Sequence, residues 1–379
     1  MSFQSELMTP TAEAEAGAVP AASRFSSLLR AELSHHTLLI RFVLVYCCVA
    51  MGVLAFTGQE VGTLGLSYLL AVIVPAVAVV MIRALGELLH HATSVRPFRW
   101  RGVAQGIRRS EIFSPAHVAA ALLPIILLPV FTTAFTSFKL SIPALIPFAW
   151  DQALMEADKA LHFGRHPWEW LQPVFGHPAL TSLISYFYNL WAPLMMFVFY
   201  WQMFSLRNRP LRMQFMLTYV FAWAILGSLA ALAFSSAGPC FYGDIVDGPN
   251  PYAGLMSYLN HADGSVKIWS LEAQSYLWEN YLDKDAKIGG GISAFPSLHL
   301  CITTLIFLLC REIDRRLAWL SGAYVVIILI GSVHLAWHYA LDGYLGILGA
   351  VLCWHLAGKL LRYTGEAPQS QGAEPTPAS

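Results

Sequence analysis

Two ionisable residues near the C-terminal end of the chain, His338 and Asp342, are four positions apart. On a helix, residues at this spacing share a face and can touch. A carboxylate at one imidazole nitrogen fixes the tautomer and leaves the other nitrogen free for nucleophilic attack or proton transfer. The pair is equally compatible with a structural hydrogen bond. Together with His334 it could instead form a facial metal-binding triad, although the sequence shows no further ligand, and we predict no metal.

A glycine-rich stretch, residues 289–299, precedes the third-last apolar segment and ends in His299. Pro296 suits the first position of a helix, where its missing N–H costs nothing. A helix that begins there would present free backbone N–H groups and its positive dipole end, which together bind anions and phosphate above all. The alternative is a flexible linker before an ordinary span, with His299 packed at the membrane interface.

Taken together, these two stretches resemble the signatures of the type 2 phosphatidic acid phosphatase superfamily. That family has a Pro-Ser-Gly-His block and, in a later helix, a His followed four residues on by Asp. The form in this chain is closer to the inositol phosphorylceramide synthase branch, in which the block reads Phe-Pro-Ser-Leu-His and His-Tyr-x-x-Asp follows. The matching residues are Phe295-Pro296-Ser297-Leu298-His299 and His338-Tyr339 with Asp342. The resemblance is strong over roughly 288–345 and extends over 117–361.

The resemblance implies covalent catalysis with a general acid and base. His338 is then the nucleophile that forms a phosphohistidine, and Asp342 orients it and stabilises its positive charge. His299 protonates the departing alkoxide and afterwards activates the acceptor. No cofactor is implied. Phosphate is expected to contact the backbone around the glycine loop and the helix terminus, at Gly291, Ser297 and Leu298.

The chain departs from the superfamily in the cations that would hold the phosphate. The superfamily has an Arg six residues before the nucleophilic His, whereas this chain has Ser332. Phosphoryl transfer needs positive charge around the equatorial oxygens, so another residue must supply it. We predict Lys287, directly before the glycine loop, and Arg165, in an aromatic segment; each could also be a solvated surface charge. The full set of candidates is Lys139, Lys159, Arg165, Lys267, Lys284 and Lys287.

The composition indicates what kind of fold must position these residues. Of 379 residues, 56% are hydrophobic and only 12% are charged, about half of the roughly 25% charged residues in an ordinary soluble protein. That scarcity indicates an integral membrane protein. The net charge of zero argues against nucleic-acid binding, which needs a clustered basic surface.

The apolar runs predict an all-α membrane protein of about eight transmembrane helices, since a span needs about 20 apolar residues. They lie near 38–57, 62–82, 117–137, 180–204, 213–235, 296–311, 317–336 and 341–361. Six of them form a phosphatase-like core. The predicted division is a disordered or amphipathic tail 1–36, an accessory helix pair 37–82, a basic cytoplasmic segment 83–116, the six-helix catalytic core 117–363 and a disordered tail 364–379.

The basic residues predict the orientation, because Lys and Arg favour the cytoplasmic side. With eight spans and both termini inside, 17 of the 23 basic residues fall on the cytoplasmic side, and the other six lie in two outer loops near 138–179 and 236–295. His299, His338 and Asp342 then lie at the extracytoplasmic face. That face is periplasmic in a bacterial inner membrane, the location we expect, and lumenal in a eukaryote.

The outer loops favour a lipid substrate, because loop 138–179 carries three tryptophans, Trp150, Trp168 and Trp170, which are typical of membrane–water interfaces. The resemblance to the inositol phosphorylceramide synthase branch then implies an enzyme that transfers a phospho-head-group between membrane lipids, from a phospholipid donor to an acceptor such as ceramide or diacylglycerol. A phosphatase that releases inorganic phosphate shares the first step. A transporter or scaffold without chemistry is the third alternative; it predicts charges in mid-span, of which the sequence has few. The sequence does not predict the oligomeric state.

Overall fold

The computed structural model of the chain describes residues 21–59, 65–94, 100, 114–283 and 289–365. All regular secondary structure within these ranges is helical, and the predicted all-α membrane fold is confirmed. Seven of the described helices are long and apolar enough to cross a membrane. Residues 1–20 and 366–379, most of the basic segment 83–116, and residues 284–288 lie outside the described ranges.

The seven spanning segments follow the apolar runs of the sequence closely. They are α2 (Thr37–Phe56), α3 (Gly65–Ser94), α4 (Pro115–Leu145), α7 with α8 (Pro178–Asn189 and Trp191–Phe204), α9 (Arg209–Phe221, continued to Ala233 through a π-helical stretch Ala222–Ala230), α13 (Arg315–His334) and α14 (Ala340–Tyr363). The eighth predicted span is α12 (Leu298–Arg311). With 14 residues, it is shorter than the roughly 20 residues that cross a bilayer.

The N-terminal helices join the rest of the molecule mainly through α4. Helix α1 (Ala21–His35), α2 and α3 each pack against α4, whereas α4 also contacts α8 and α9. The arrangement is that expected of an accessory pair beside a core, although the division into domains stays a prediction.

Both predicted outer loops contain helices. The first holds the end of α4 and two short helices, α5 (Asp151–Leu161) and α6 (Pro167–Phe175). The second holds two short turns, Pro239–Phe241 and Tyr242–Ile245, followed by α10 (Ala253–Asp263) and α11 (Trp269–Asp283). These short helices pack on one end of the bundle, where α6 contacts α13, α5 contacts α14, and α10 and α11 contact α7.

The short helix α12 lies at the centre of the bundle and packs against α13, α14 and α9. Ten of its residues are buried, including Leu300, Cys301 and Leu305. Because α12 is central, one of its ends faces the ends of several neighbouring helices at once.

Candidate active site

The backbone around His338 forms the connection between α13 and α14, and His338 itself is not on a helix. Residues 335–339 turn sharply, with Ala336 at φ 60°, and the N–H groups of Trp337 and His338 both donate to the Ser332 carbonyl at 2.9 and 3.0 Å. The predicted helical i, i+4 geometry for His338 and Asp342 is therefore wrong, although the two side chains still meet.

They meet because Asp342 closes the N-terminus of α14. Tyr339 is the N-cap residue, and its backbone N–H donates to Asp342 Oδ2 at 3.1 Å, which is one half of a capping box. This arrangement places Oδ2 3.4 Å from His338 Nδ1. The cap thus aims the carboxylate at the imidazole.

His299 completes the group from the first turn of α12. Its Nδ1 lies 3.1 Å from His338 Nε2, so the three predicted catalytic side chains form one chain, Asp342 to His338 to His299. His338 is 4% exposed and Asp342 is 0% exposed. Aromatic rings surround His299, with Trp191 at 4.5 Å and Tyr188 at 4.9 Å between centroids.

The start of α12 differs from the prediction by two residues. Ser297, not the position before Pro296, is the N-cap: its hydroxyl accepts the N–H of Leu300 at 3.4 Å, and its own N–H donates to the Asp342 carbonyl at 3.0 Å. That second bond fixes the helix terminus to Asp342, the residue predicted to orient the nucleophile. Among the described residues, the N–H groups of Leu298 and His299 have no hydrogen-bond partner, so they are available to an anion.

Lys139 is the cation that the structure brings to the histidines. It lies near the C-terminal end of α4, within electrostatic reach of both His299 and His338. Gly291, at φ 89°, lies on the lysine stem: a β-carbon there would be 3.1 Å from Lys139 Cγ. Within the described part of the chain, Lys139 forms no ion pair with a carboxylate.

Arg165 and Lys287 are the two cations predicted from the sequence to contact phosphate. Arg165 is exposed and lies over the Trp170 ring, 5.1 Å from its centroid, with no contact to either histidine. Lys287 lies outside the described residues. Gly291, Ser297 and Leu298, by contrast, all lie where the glycine loop and the α12 terminus approach the histidines.

Two buried aspartates of α5 hold the connection that carries His338, and sequence reasoning missed both. Asp158 accepts the N–H groups of Ala340 and Leu341, each at 3.0 Å, and thereby caps α14 from outside. Asp151 accepts the Tyr339 hydroxyl at 2.9 Å and two backbone N–H groups, those of residues 237 and 238, at 2.8 Å. Both are 1% exposed. Burial raises the pKa of each, while these hydrogen bonds act in the opposite direction.

A signal for these aspartates was present in the sequence. Asp151, Leu154 and Asp158 are the buried positions of α5, so the acids share the apolar i, i+3, i+7 face of an amphipathic helix. Acids on such a face need partners, because an unpaired buried carboxylate is costly.

The alternative metal triad is not formed. His334 Nε2 lies 2.9 Å from Thr181 Oγ1, away from the His338–Asp342 pair. No group of three or more His, Cys, Asp or Glu side chains able to hold a metal ion occurs in the described ranges.

The electrostatics favour a neutral His338. It lies in the connection between the two spanning helices, and burial lowers its pKa to about 3. A neutral imidazole keeps a lone pair on one nitrogen, as a nucleophile requires. Because Asp342 faces Nδ1, we assign the proton to that nitrogen and the lone pair to Nε2, which then accepts from the Nδ1–H of His299.

A mostly apolar cavity opens beside the start of α14. Its volume is about 390 Å³, within the range of roughly 300–1,000 Å³ for ligand sites. The connection between α5 and α6, together with α6 itself, forms one wall, and the ends of α13 and α14 form the other. The lining residues are His162, Phe163, Pro167, Trp170, Leu171, Leu329, Ile330, Val333, Ala340 and Tyr344.

Comparison with known protein families gives one match. The model of the PAP2 superfamily matches residues 152–356, which is more than half of the chain and includes His299, His338 and Asp342. The comparison found no match among curated proteins or solved structures.

Proposed function

Since the chain belongs to the PAP2 superfamily, we propose that it is a membrane lipid phosphotransferase that works through a phosphohistidine on His338. Family membership supports a lipid phosphoesterase. The finer assignment rests on the unbroken chain of contacts Asp342–His338–His299, with 3.4 Å and 3.1 Å between the facing atoms. This arrangement supports His338 as the nucleophile, Asp342 as its orienting carboxylate and His299 as the proton donor.

The first half-reaction follows from the proton assignment. His338 Nε2 attacks the phosphorus of the donor lipid, and the bond from phosphorus to the leaving oxygen breaks. The departing alkoxide takes the Nδ1 proton of His299. His338 gains positive charge as the P–N bond forms, and Asp342 at 3.4 Å from Nδ1 stabilises it.

The second half-reaction reverses these roles. His299, now without its Nδ1 proton, takes the proton of an acceptor hydroxyl, and the oxygen displaces His338 from phosphorus. The positive charge of Lys139 and the free N–H groups of Leu298 and His299 stabilise the phosphoryl oxygens in both steps.

Burial favours a lipid acceptor over water. His338 is 4% exposed, and rings of Tyr188 and Trp191 lie against His299. A hydroxyl carried on a lipid, such as that of ceramide or diacylglycerol, enters such an apolar surrounding more readily than bulk water does. The 390 Å³ cavity next to Ala340 is suited to part of an acyl chain.

We place this site at the extracytoplasmic face, with both termini in the cytoplasm. The distribution of basic residues supports this orientation. It predicts that a cysteine-reactive, membrane-impermeant reagent labels Asp247→Cys in the outer loop of intact cells or spheroplasts and does not label Arg207→Cys.

The deciding experiment incubates the purified full-length protein with phospholipids carrying a labelled phospho-inositol head group, with and without ceramide or diacylglycerol. A new labelled phospholipid that appears only with the acceptor supports transfer. Release of labelled inositol phosphate at the same rate with or without acceptor indicates that water is the acceptor, as in a phosphatase-type reaction. Absence of phosphate on the His338 peptide after a rapid alkaline quench would contradict the covalent mechanism.

A further inference from the structure

A second polar cluster lies at the other end of the bundle. Glu32 of α1 is 2.7 Å from Arg209 Nη1 and 3.7 Å from Arg212 Nη1. The catalytic group lies beyond the far end of the segment Arg209–Ala233, which at about 1.5 Å per residue is about 37 Å long. The cluster therefore has no part in the reaction at His338, and α1 lies outside the region that the family model matches.

A cavity of about 200 Å³ adjoins this cluster. That volume is well above the roughly 10–15 Å³ that one water molecule needs, and it leaves space for a phosphate group. The residues around it are Glu32, His35, Arg209, Pro210, Arg212, Met213 and Gly365.

The lining of this cavity carries excess positive charge. Two arginines face one carboxylate, and no other acid is among the lining residues. Arg212 is 2% exposed, and its Nε has no hydrogen-bond partner within the described residues. One of its Nη atoms already donates to the Ala120 carbonyl at 2.7 Å. A buried guanidinium with an unused donor is a costly arrangement, and an anion would satisfy it.

The local backbone adds to this preference. Helix α9 begins at Arg209 with Asn208 as its N-cap, so the positive end of its dipole lies beside the cavity. The neighbouring His36 is buried, and burial lowers its pKa to about 4, with Arg212 acting in the same direction. The positive charge thus belongs to the two arginines.

We propose that this cavity is a binding site for a phosphate-bearing anion, which bridges Arg209 and Arg212 and competes with the Glu32 carboxylate. Arginine forks match phosphate oxygens in bidentate geometry. The anion is either inorganic phosphate or the phosphodiester of an anionic phospholipid. The proposal is independent of the chemistry at His338.

Because the anion competes with the Glu32 carboxylate for the arginines, removing that carboxylate should strengthen anion binding. Purified full-length protein in phosphatidylcholine nanodiscs is titrated with inorganic phosphate, and a parallel sample uses nanodiscs with added phosphatidylglycerol. The measurement is hydrogen–deuterium exchange of the α1 peptide, which reports this site and not the catalytic one. Glu32→Gln removes the internal competitor, Arg209→Gln removes a ligand, and Arg207→Gln is the matched control, because Arg207 is exposed on the same loop.

We expect Glu32→Gln to tighten the apparent Kd for the anion by about fivefold or more, and Arg209→Gln to weaken it by about tenfold or more, since hydrogen bonds to charged groups are worth about 1.5–3 kcal/mol. Arg207→Gln should stay within about twofold of the parent. A response to phosphate alone or to phosphatidylglycerol alone identifies the source of the anion.

Two results would overturn the proposal. One is that Glu32→Gln leaves the anion response unchanged and only destabilises the protein, which is what a purely structural clasp between α1 and α9 predicts. The other is that Arg209→Gln and Arg207→Gln bind equally. If Arg209→Gln does not fold, Arg209→Lys takes its place, with a weaker response expected because the bidentate fork is lost.

Discussion

Replacing Asp342 by Asn is the perturbation that separates chemistry from folding most cleanly. The side chain keeps its shape and an oxygen that can accept the Tyr339 N–H, so the cap of α14 can persist. What disappears is the negative charge that the proposed mechanism places 3.4 Å from His338 Nδ1. In the proposed mechanism that charge matters only once His338 becomes positive.

The expected loss follows from the distance. Two unit charges 3.4 Å apart attract by about 5 kcal/mol at an effective dielectric constant of about 20. Each 1.36 kcal/mol of barrier is tenfold in rate, so the upper limit is about 4,000-fold. The dipole of the amide retains part of the interaction, and we expect kcat to fall by about 10³-fold with KM nearly unchanged.

The thermal stability of Asp342→Asn, unlike its kcat, should increase or stay the same. Asp342 is 0% exposed, and its Oδ1 has no hydrogen-bond partner among the described residues. A buried carboxylate with an unpaired oxygen is costly, and the amide relieves the charge. The thermal midpoint of Asp342→Asn should therefore equal or exceed that of the parent.

The assay measures turnover of a labelled phospholipid and thermal unfolding on the same purified samples. Asp244→Asn is the matched control, because Asp244 is an exposed acid in the short turn Tyr242–Ile245, and it should behave as the parent in both. If Asp342→Asn retains more than a tenth of the parent kcat, the charge is not stabilising a positive His338, and the phosphohistidine mechanism is refuted.

Three further outcomes are expected. Lys139→Met should lower kcat/KM by about 10²-fold or more, and Lys139→Arg should retain part of the activity. Lys159→Met is the control and should stay within about twofold of the parent. Equal rates for all three variants in the lipid assay would show that Lys139 is not part of the site. Asp158→Asn leaves one N–H at the start of α14 facing an amide NH₂ group, so the free energy of unfolding should fall by about 1–3 kcal/mol, and turnover should fall with it. An unchanged free energy of unfolding would contradict the role of Asp158 as an external cap of α14. Because the pKa of His338 is lowered from 6.5 to about 3 in the fold, the unfolded chain binds one more proton than the folded chain between these pH values, and the free energy of unfolding should decrease from pH 7 to pH 5. His338→Gln should show a smaller decrease. An equal decrease in this variant would mean that His338 is not the cause of the pH dependence.

Much of the fold was open to prediction because membrane spans depend on composition. The apolar runs located the seven long helices, and the topology brought His299 and His338 to one end of the bundle although 39 positions separate them. The errors lie at helix ends. α4 continues to Leu145 where the prediction ended it at 137, which turned Lys139 from a residue of the outer loop into one at the end of a core helix.

The rest of the site depends on contacts that no local pattern specifies. Tyr339 and Asp151 are 188 positions apart, yet their side chains share a hydrogen bond of 2.9 Å. The contact exists because α5 packs on the start of α14, and that packing is set by the whole bundle. The His338–Asp342 pair shows the same limit, since the spacing of four was right and the helix assumed for it was not.

The length of α12 has a consequence for the membrane around the protein. Fourteen residues measure about 21 Å at 1.5 Å per residue, whereas the hydrocarbon core of a bilayer is about 30 Å thick. If Arg311 at one end stays near one water boundary, His299 at the other end lies about 9 Å short of the opposite boundary. A lipid phosphate must then sink below the head-group plane, or the bilayer must thin locally. We therefore expect turnover to depend on acyl-chain length in the surrounding membrane and to be faster in thin bilayers.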